Sequence, residues 1–231
     1  MSSRQNGMSA AYTPAPHTLD HLRQVDFVAV VGPTASGKST LITTAMQRDP
    51  SLHQVLNNTS RAPRPGERAG VDFRFETRSA MEAHIARGEY AQVAPTVFGD
   101  LYATLASDYS AEGIALLPVL ADAIPAFRAL PFKSMRSIFV LPPNWDSWQE
   151  RVALHGFSDE QLAKRMAEAR CSLQFALADR EMSYVISRNI PDATSDFLAL
   201  ARGEPMNAYL QQDQQDAPTI VRTLLHILDA Q

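Results

Sequence analysis

Residues Val31 to Leu41 have the sequence VGPTASGKSTL. It contains a glycine, four further residues and then Gly37-Lys38-Ser39, which is the phosphate-binding loop pattern. Glycines in this pattern permit backbone angles that turn successive N–H groups toward one anion. The lysine supplies a mobile charge for the outer phosphates, and the serine hydroxyl suits Mg²⁺. The pattern therefore predicts a site for ATP phosphates, made by Gly32, Pro33, Thr34, Ala35, Ser36, Gly37, Lys38, Ser39 and Thr40, with Ser39 at the metal.

The residues on both sides of this loop agree with the prediction. Val25 to Val31 are mostly apolar and β-branched, which indicates a buried strand. Thr40 to Met46 continue as a helix that Asp49-Pro50 ends. Strand and helix candidates then alternate along the chain. We therefore expect an α/β fold of the P-loop NTPase type, with a mainly parallel sheet flanked by helices.

Composition places limits on the partners. The 231 residues are 45% hydrophobic and 20% charged, with a net charge of −4. This argues against a nucleic-acid binder that works through a broad basic surface. Cys171 is the only cysteine, which fits a reducing cytoplasm. The N-terminal residues lack the apolar core of a signal peptide, and the longest apolar stretch, Ile114 to Phe127, is too interrupted to span a bilayer.

Several elements are predicted away from the loop. We expect residues 1–24 to be a flexible extension and Asn57 to Arg74 to be a loop. A helix is predicted from Ser79, as its N-cap, to Arg87. The polar, Gln-rich residues 202–218 predict a linker. A terminal amphipathic helix is predicted over 219–231, with an apolar stripe made by Ile220, Leu224, Ile227 and Leu228.

A second anion site is predicted between Asn57 and Glu67. Arg61 and Arg64 lie three residues apart, and the neighbouring prolines, Pro63 and Pro65, stiffen the segment. Guanidinium groups pair with phosphate oxygens in a bidentate manner, which lysine does not do. In a chain of net negative charge, this pair after a phosphate loop indicates a clamp for a second phosphate.

At this point the chain resembles the guanylate kinase family. That family follows its phosphate loop with Ser-Thr-Thr-Arg-x-Pro-Arg-x-Gly-Glu and then Gly-x-Asp-Tyr-x-Phe, and here these segments are Asn58 to Glu67 and Gly70 to Phe75. Phe98 to Thr104 is similar to the family segment Gly-Asn-Tyr-Tyr-Gly-Thr. Arg165 to Arg170 is similar to its Arg-Leu-x-x-Ala-Arg helix. The resemblance covers residues 25 to about 190.

The resemblance implies a nucleoside monophosphate kinase that uses ATP and Mg²⁺ and acts on a small phosphate acceptor, most simply GMP or dGMP. It divides residues 25–201 into a core (25–56, 106–148 and 171–201), an acceptor-binding region (57–105) and a helical lid (149–170). The acceptor residues that it implies are Asn57, Arg61, Arg64, Phe73, Gln92, Tyr102 and Thr104. The catalytic residues are Lys38, Arg151 and Arg165. A monomer or a homodimer is expected.

The departures from the family pattern lie mostly on the acceptor side. Phe73 stands where the family has tyrosine, and Gln92 stands where it has the glutamate that binds guanine. A carboxylate accepts two hydrogen bonds from guanine, whereas an amide offers one acceptor oxygen. The family's acidic strand aligns with Ala115 to Leu120, which carries no acid, and one lid arginine is replaced by His155.

Two other functions stay open on the sequence. A ribose 1,5-bisphosphate phosphokinase would explain the altered base site. A non-catalytic guanylate-kinase-like binding module would tolerate Gln92 and His155, although such modules usually carry degenerate phosphate loops. A tRNA dimethylallyltransferase shares the Gly-Pro-Thr-Ala-Ser-Gly-Lys loop, but the segment after the first helix and the negative charge do not fit that class.

Overall fold

The computed structural model describes residues 12–63, 66–95 and 99–230. Strands and helices alternate along most of this part of the chain. In chain order they are α1 Pro16–Leu22, β1 Asp26–Val31, α2 Lys38–Arg48, β2 Leu52–Gln54, β3 Asn58–Thr59, β4 Arg74–Phe75, α3 Arg78–Arg87, β5 Tyr90–Pro95, β6 Leu101–Leu105, β7 Ile114–Pro118, α4 Ile124–Arg128, β8 Ser134–Leu141, α5 Trp145–Ala153, α6 Asp159–Ala178, β9 Met182–Ile186, α7 Ile190–Arg202 and α8 Ala208–Asp229.

The described chain forms two compact units. The larger unit contains Gln24–Val55 and the residues from Ser110 onward. Its five strands form a parallel sheet in the order β2-β7-β1-β8-β9. Strands β1, β7 and β8 lie inside this sheet and carry runs of buried apolar residues, as parallel strands covered on both faces require. The prediction of an α/β fold with a mainly parallel sheet is confirmed.

The central strand of that sheet positions the phosphate loop. Strand β1 is buried from Phe27 to Val31, and its carboxyl end leads directly into the loop and α2. Leu41, Ile42 and Ala45 of α2 pack into the apolar core together with Val28 and Phe197. Because helix and strand are both anchored in this core, the loop between them has fixed ends.

The smaller unit contains the described residues up to Arg23 and those of Leu56–Tyr109. Its mixed sheet has the order β4-β3-β6-β5, with β3 antiparallel to β6 and parallel to β4. A second apolar cluster, made by Met81, Tyr90, Leu101 and Ala103, lies between this sheet and α3. The loop predicted over Asn57 to Arg74 therefore includes strand β3, whose residues Asn58 and Thr59 are both fully buried.

The prediction of a flexible extension over residues 1–24 is wrong for its described part. Helix α1 begins at Pro16, a residue that suits the first helical position because the missing N–H has no helical partner there. The Thr18 hydroxyl and the Ala15 N–H both donate to the carbonyl of Gly88, and Thr18 is buried. These contacts tie the segment to the smaller unit. Residues 1–11 lie outside the described residues.

Helix α3 begins one residue before the predicted N-cap. Thr77, not Ser79, has the extended backbone of an N-cap, and its side chain accepts a hydrogen bond from the Ala80 N–H. Both residue types cap helices equally well on sequence grounds. In the larger unit, Asn144 is the N-cap of α5 and Ser158 is the N-cap of α6.

The linker predicted over residues 202–218 is wrong from Ala208 onward. Helix α8 begins there and runs for 22 residues through Pro218. Its polar first half is helical because its side chains have partners. Gln214 accepts a hydrogen bond from the Tyr184 N–H at 2.7 Å and donates one to the Tyr184 carbonyl at 2.8 Å. Of the predicted apolar stripe, Leu224 and Leu228 are buried, and Val221, about one turn before Leu224, is buried as well.

None of the helices within the described ranges is both long enough and apolar enough to cross a membrane.

Candidate active site

The backbone of the phosphate loop adopts the conformation that the glycine pattern predicts. Gly32 and Gly37 have φ angles of 146° and 99°, and Ala35, between them, also has a positive φ of 58°. A Cβ atom at Gly32 would lie 2.4 Å from the Val140 carbonyl oxygen, so only glycine fits there. A loop that alternates such angles turns its N–H groups inward and forms a concave anion site.

Lys38 lies in the first turn of α2 and reaches back across this loop. Its ammonium group donates to the carbonyl oxygens of Gly32 at 2.6 Å and Pro33 at 2.8 Å. Burial and, to a smaller extent, the positive charge of Arg165 together lower the pKa of Lys38 to about 8. Among the residues that the structure describes, no carboxylate pairs with this lysine, and a phosphate anion would stabilise its charged form.

The hydroxyl groups of the loop are placed differently from one another. Ser39 and Thr40 are exposed at the start of α2, where a helix favours anions and Ser39 can reach a metal. Ser36 is fully buried, and its hydroxyl oxygen has no hydrogen-bond partner among the described residues. Hydroxyl and phosphate oxygens are ligands that Mg²⁺ prefers, so the loop fits a magnesium–nucleotide.

A tryptophan supports the loop from α5. Trp148 is fully buried, and its indole N–H donates to the Thr34 carbonyl at 2.8 Å. Asn144 caps α5 by accepting a hydrogen bond from the Ser147 N–H, which fixes the start of this helix. Trp148 was not predicted as a site residue, because a large apolar side chain on a helix ordinarily indicates core packing alone.

Arg151, one turn further along α5, contacts the same loop. Its guanidinium donates to the Ser187 hydroxyl at 2.8 Å, to the Ser187 carbonyl at 2.6 Å and to the Ser36 carbonyl at 3.4 Å. Ser187 is itself buried, with its hydroxyl 2.9 Å from the Ser36 carbonyl. The described structure thus places the predicted lid arginine against the backbone of the phosphate loop. No signal in the sequence pointed to Ser187.

Arg165 lies on α6 and is partly exposed. It forms an ion pair of 2.8 Å with Glu168, three residues away on the same helix. A pair between exposed groups on one helix is weak, because water competes for both charges. Arg165 can therefore exchange this partner for a more strongly charged anion. Its charge already acts on Lys38, as the lowered pKa of the lysine indicates.

In the smaller unit, Arg61 is held on several sides. Both of its terminal nitrogens donate to the carboxylate of Glu67, at 2.6 and 2.7 Å, and its Nε donates to the Tyr102 hydroxyl at 2.7 Å. The guanidinium carbon lies 4.8 Å from the centre of the Phe73 ring. Only 10% of the Arg61 side chain is exposed, and the hydrogen bonds to Glu67 raise its pKa. Arg61 is thus permanently charged and oriented.

The pairing of strands in the smaller sheet places several of the remaining predicted acceptor residues close together. Gln92 on β5 is paired with Thr104 on β6, and Tyr102 on β6 is paired with Thr59 on β3. Alternate residues of a strand share a face, so Tyr102 and Thr104 belong to the same face of the sheet, and Gln92 belongs to it by pairing. The buried Tyr109 hydroxyl donates to Thr104 Oγ1 at 2.9 Å and so fixes the position of the Thr104 hydroxyl.

Three further residues were predicted to bind the acceptor. Asn57 directly precedes β3, and its carbonyl accepts a hydrogen bond from the Arg74 N–H at 2.8 Å. Phe73 packs edge-on against Tyr102 with ring centres 5.9 Å apart, so its ring orients the side chains of that face. Arg64, the second arginine of the predicted clamp, lies outside the described residues.

Comparison with known proteins decides the family. The family model described as guanylate kinase matches residues 24–199, which is more than half of the chain. The chain belongs to the guanylate kinase family. A guanylate kinase of Nocardia farcinica is 31% identical over 189 residues, covering 79% of this chain and 96% of the relative. One from Mycobacterium tuberculosis is 32% identical over 182 residues, covering 76% and 86%.

A solved structure gives the same fold. The crystal structure of guanylate kinase from Anaplasma phagocytophilum matches with a TM-score of 0.57 and 19% sequence identity. The match covers 84% of this chain and 95% of that one. The P-loop fold expected for a guanylate kinase is therefore confirmed, including the parallel sheet whose central strand precedes the phosphate loop.

The structure shows where the residues that differ from the guanylate kinase pattern lie. Gln92 lies on the sheet face described above, in place of the family's glutamate. Strand β7, which aligns with the acidic strand of guanylate kinases, is buried and apolar, and Asp122 lies beyond it in an exposed turn. His155, in place of a lid arginine, stacks on Phe157 with ring centres 5.2 Å apart.

Proposed function

We propose that this chain catalyses the transfer of the γ-phosphoryl group of ATP to the phosphate of GMP or dGMP. The observation that carries the proposal is an intact phosphate loop, with Lys38 in place, in a chain whose guanylate kinase match runs from 24 to 199. A binding module without activity has no need of the intact Gly37-Lys38-Ser39 segment that binds ATP phosphates.

On the nucleotide side, the loop residues Gly32 to Thr40 bind the phosphates of ATP through backbone N–H groups and the N-terminus of α2. Lys38 leaves the carbonyls of Gly32 and Pro33 and donates to the outer phosphates. Ser39 holds the Mg²⁺ that accompanies ATP. When bound, the metal neutralises phosphate charge and so lowers the electrostatic barrier to attack.

On the acceptor side, Arg61 and Tyr102 hold the phosphate of the nucleoside monophosphate, and Arg64 joins them. Glu67 fixes the orientation of Arg61 before the acceptor arrives. Gln92, Thr104 and Asn57 contact the base, and Phe73 packs against the arginine in place of a tyrosine hydroxyl. Support for these roles comes from the bidentate Arg61–Glu67 pair and from the shared face of Gln92, Tyr102 and Thr104.

Phosphoryl transfer needs in-line placement and charge neutralisation rather than a covalent intermediate. We propose that residues 57–105 act as the acceptor region and residues 149–170 as a lid. In this scheme Arg165 releases Glu168 and donates to the transferring group, while Arg151 stabilises the loop through Ser36 and Ser187. Closing the lid excludes water, which protects ATP from hydrolysis.

The other functions considered on the sequence are not favoured. The curated relatives given above are guanylate kinases, whereas neither ribose 1,5-bisphosphate phosphokinases nor non-catalytic modules are among them. The chemistry of the chain suits the cytoplasm, since its one cysteine is unpaired. A monomer or homodimer stays our expectation, and sedimentation of the purified chain measures it.

The deciding experiment is an assay of ADP release from Mg-ATP by the purified chain. The acceptors are GMP, dGMP, AMP, CMP, UMP and ribose 1,5-bisphosphate, each with a no-acceptor control. We expect turnover with GMP and dGMP. Turnover with ribose 1,5-bisphosphate alone would replace the proposed acceptor, and no turnover despite ATP binding would support the binding module.

A variant of the phosphate loop controls this assay. Lys38→Ala should lower kcat by several orders of magnitude, because the transferred group loses its main positive charge. If Lys38→Ala retained nearly full turnover, the activity would not come from the proposed site. Thermal unfolding of the variant shows whether the loss is chemical or structural.

A further inference from the structure

Helix α8 lies beyond residues 24–199, the part of the chain that matches the guanylate kinase family. Nothing in the family match explains why the chain continues with a 22-residue helix. Its contacts lead toward the phosphate loop. Asp213, on the buried face of α8, has only 3% of its side chain exposed and pairs with Arg188.

The pair between Asp213 and Arg188 is bidentate. The two terminal nitrogens of Arg188 donate to the two carboxylate oxygens of Asp213 at 2.6 and 2.8 Å. Arg188 also donates to the Tyr209 hydroxyl at 2.9 Å and lies 5.4 Å above the Tyr209 ring. Parallel hydrogen bonds between two planar groups fix direction as well as distance. The side chain of Arg188 is thus oriented by two residues of α8.

Arg188 directly follows Ser187, which supports the phosphate loop. The Ser187 hydroxyl lies 2.9 Å from the Ser36 carbonyl, and Arg151 donates to both the hydroxyl and the carbonyl of Ser187. The Ser187 N–H donates to the Leu141 carbonyl at 2.8 Å, which ties the segment to the end of β8. A displacement of Arg188 would therefore move the group that fixes Ser36.

We infer that α8 is a positioning element of the ATP site, acting through Asp213, Arg188 and Ser187 on the backbone of the phosphate loop. Asp213 and Arg188 are positioning residues and touch no reacting atom. Their effect is on how well the loop is formed before ATP binds. The effect of α8 on KM rests on the proposed function, because KM requires turnover. Its effect on the Kd of Mg-ATP requires only that the chain binds ATP.

The test compares Asp213→Asn with Asp179→Asn. Asp179 is a matched control, since it is also a buried aspartate of the larger unit and pairs with Arg128 at 2.7 Å. Three quantities are measured for each protein: the Kd of Mg-ATP without acceptor, the KM values of ATP and GMP, and the Tm. Both substitutions should lower the Tm, because each removes a carboxylate that pairs with an arginine.

The expected result is a split between the two variants. Asp213→Asn should raise the Kd and KM of ATP by about 2-fold to 30-fold, the range of coupling energies transmitted through packed contacts, with the KM of GMP unchanged. Asp179→Asn should leave the ATP constants at the wild-type values. Equal ATP constants in Asp213→Asn and the wild type would overturn the inference, as would an equal rise in both variants.

Milder variants cover the case in which Asp213→Asn does not fold. Arg188→Lys keeps the charge and loses the bidentate geometry, and Tyr209→Phe removes one acceptor from a half-exposed ring. Each should shift the Kd of ATP in the same direction by a smaller factor, and no shift in either would also overturn the inference. If the wild type binds ATP but does not phosphorylate GMP, the proposed function fails while the Kd comparison still decides the role of α8.

Discussion

At the scale of single residues, Lys38 gives the site a pH dependence. Its pKa of about 8 is below the ordinary lysine value of 10.5 because the group is buried. Bound phosphate favours the protonated form of Lys38. Above pH 8, where Lys38 of the free protein is mostly deprotonated, ATP binding must therefore be accompanied by uptake of a proton. ATP affinity should therefore be independent of this group below pH 8 and should fall as the pH rises above 8.

Titration of Mg-ATP binding between pH 6.5 and 9.5 measures this effect. The slope should approach a tenfold loss of affinity per pH unit above the pKa, since one proton is linked to binding. The Lys38→Met variant should bind weakly with no such slope. A wild-type curve that stays flat to pH 9.5 would mean that the charge of Lys38 does not change in this range.

In the proposed acceptor site, we expect Gln92 to determine how the base is distinguished. An amide offers one donor and one acceptor, which match the O6 and N1–H of guanine and leave the 2-amino group without a partner. Hypoxanthine presents the same O6 and N1–H. The wild type should therefore accept IMP nearly as well as GMP, whereas a glutamate at this position would favour the 2-amino group.

The kcat/KM ratio of GMP over IMP checks this prediction. Gln92→Glu should raise the ratio by about 5-fold to 150-fold, corresponding to about 1–3 kcal/mol for a partner gained or lost in a buried site. Thr104→Val is a useful control, because it removes a hydroxyl from the same face without changing the 2-amino contact. A ratio unaffected by Gln92→Glu would remove Gln92 from the base site.

Residue identities in the phosphate loop were predictable because one local pattern fixes backbone, charge and helix start together. Partners were less predictable. Glu67 stood in the quoted motif, yet only the fold brings its carboxylate onto Arg61. Trp148 and Ser187 reach the loop from separate elements, more than 100 residues along the chain. Such contacts depend on strand order, which no local pattern encodes.

At the scale of elements, α6 depends on its cap. The Ser158 side chain accepts from the Gln161 N–H, and the Gln161 side chain accepts from the Ser158 N–H. This capping box satisfies two backbone donors at the start of the helix that carries Arg165. Ser158→Ala should lower the free energy of unfolding by about 0.5–2 kcal/mol, as measured by urea denaturation.

Ser158→Asp is the matched control for the cap. Aspartate keeps an acceptor at the N-cap and adds favourable charge near the helix N-terminus, so its stability should equal or exceed that of the wild type. If Ser158→Ala and Ser158→Asp lost the same stability, the loss would come from another contact of the serine.

The first half of α8 shows why composition mispredicts an element. Its Gln and Asp residues indicated a solvated linker, since polar residues are usually exposed. Asp213 and Gln214 are instead paired with Arg188 and with the backbone of Tyr184. Helical spacing directs these side chains inward, and their partners, Tyr184 on β9 and Arg188 just after it, lie more than 20 residues earlier in the chain. The local sequence of α8 does not predict which distant residues will pair with its polar side chains.

At the scale of the whole molecule, the two units differ in how much they bury. The larger unit has long inner strands with fully buried residues, whereas β3 and β4 of the smaller unit have two residues each. Short strands with few neighbours open at low cost. Native-state hydrogen exchange should therefore be slowest in β1, β7 and β8 and much faster in β4, the partly buried edge strand of the smaller sheet. Equal protection in both sheets would contradict this expectation.

The amide of Gln214 has a consequence for how copies of this chain behave toward each other. Strand β9 is the last strand of its sheet, and an open strand edge is a template for intermolecular pairing. By occupying both the N–H and the carbonyl of Tyr184, Gln214 blocks that template at its centre. Gln214→Ala should leave the fold intact yet increase light scattering at high protein concentration, whereas Gln211→Ala, on the exposed side of α8, should not. The side chain thus contributes to solubility, a property on which concentrated enzymes depend.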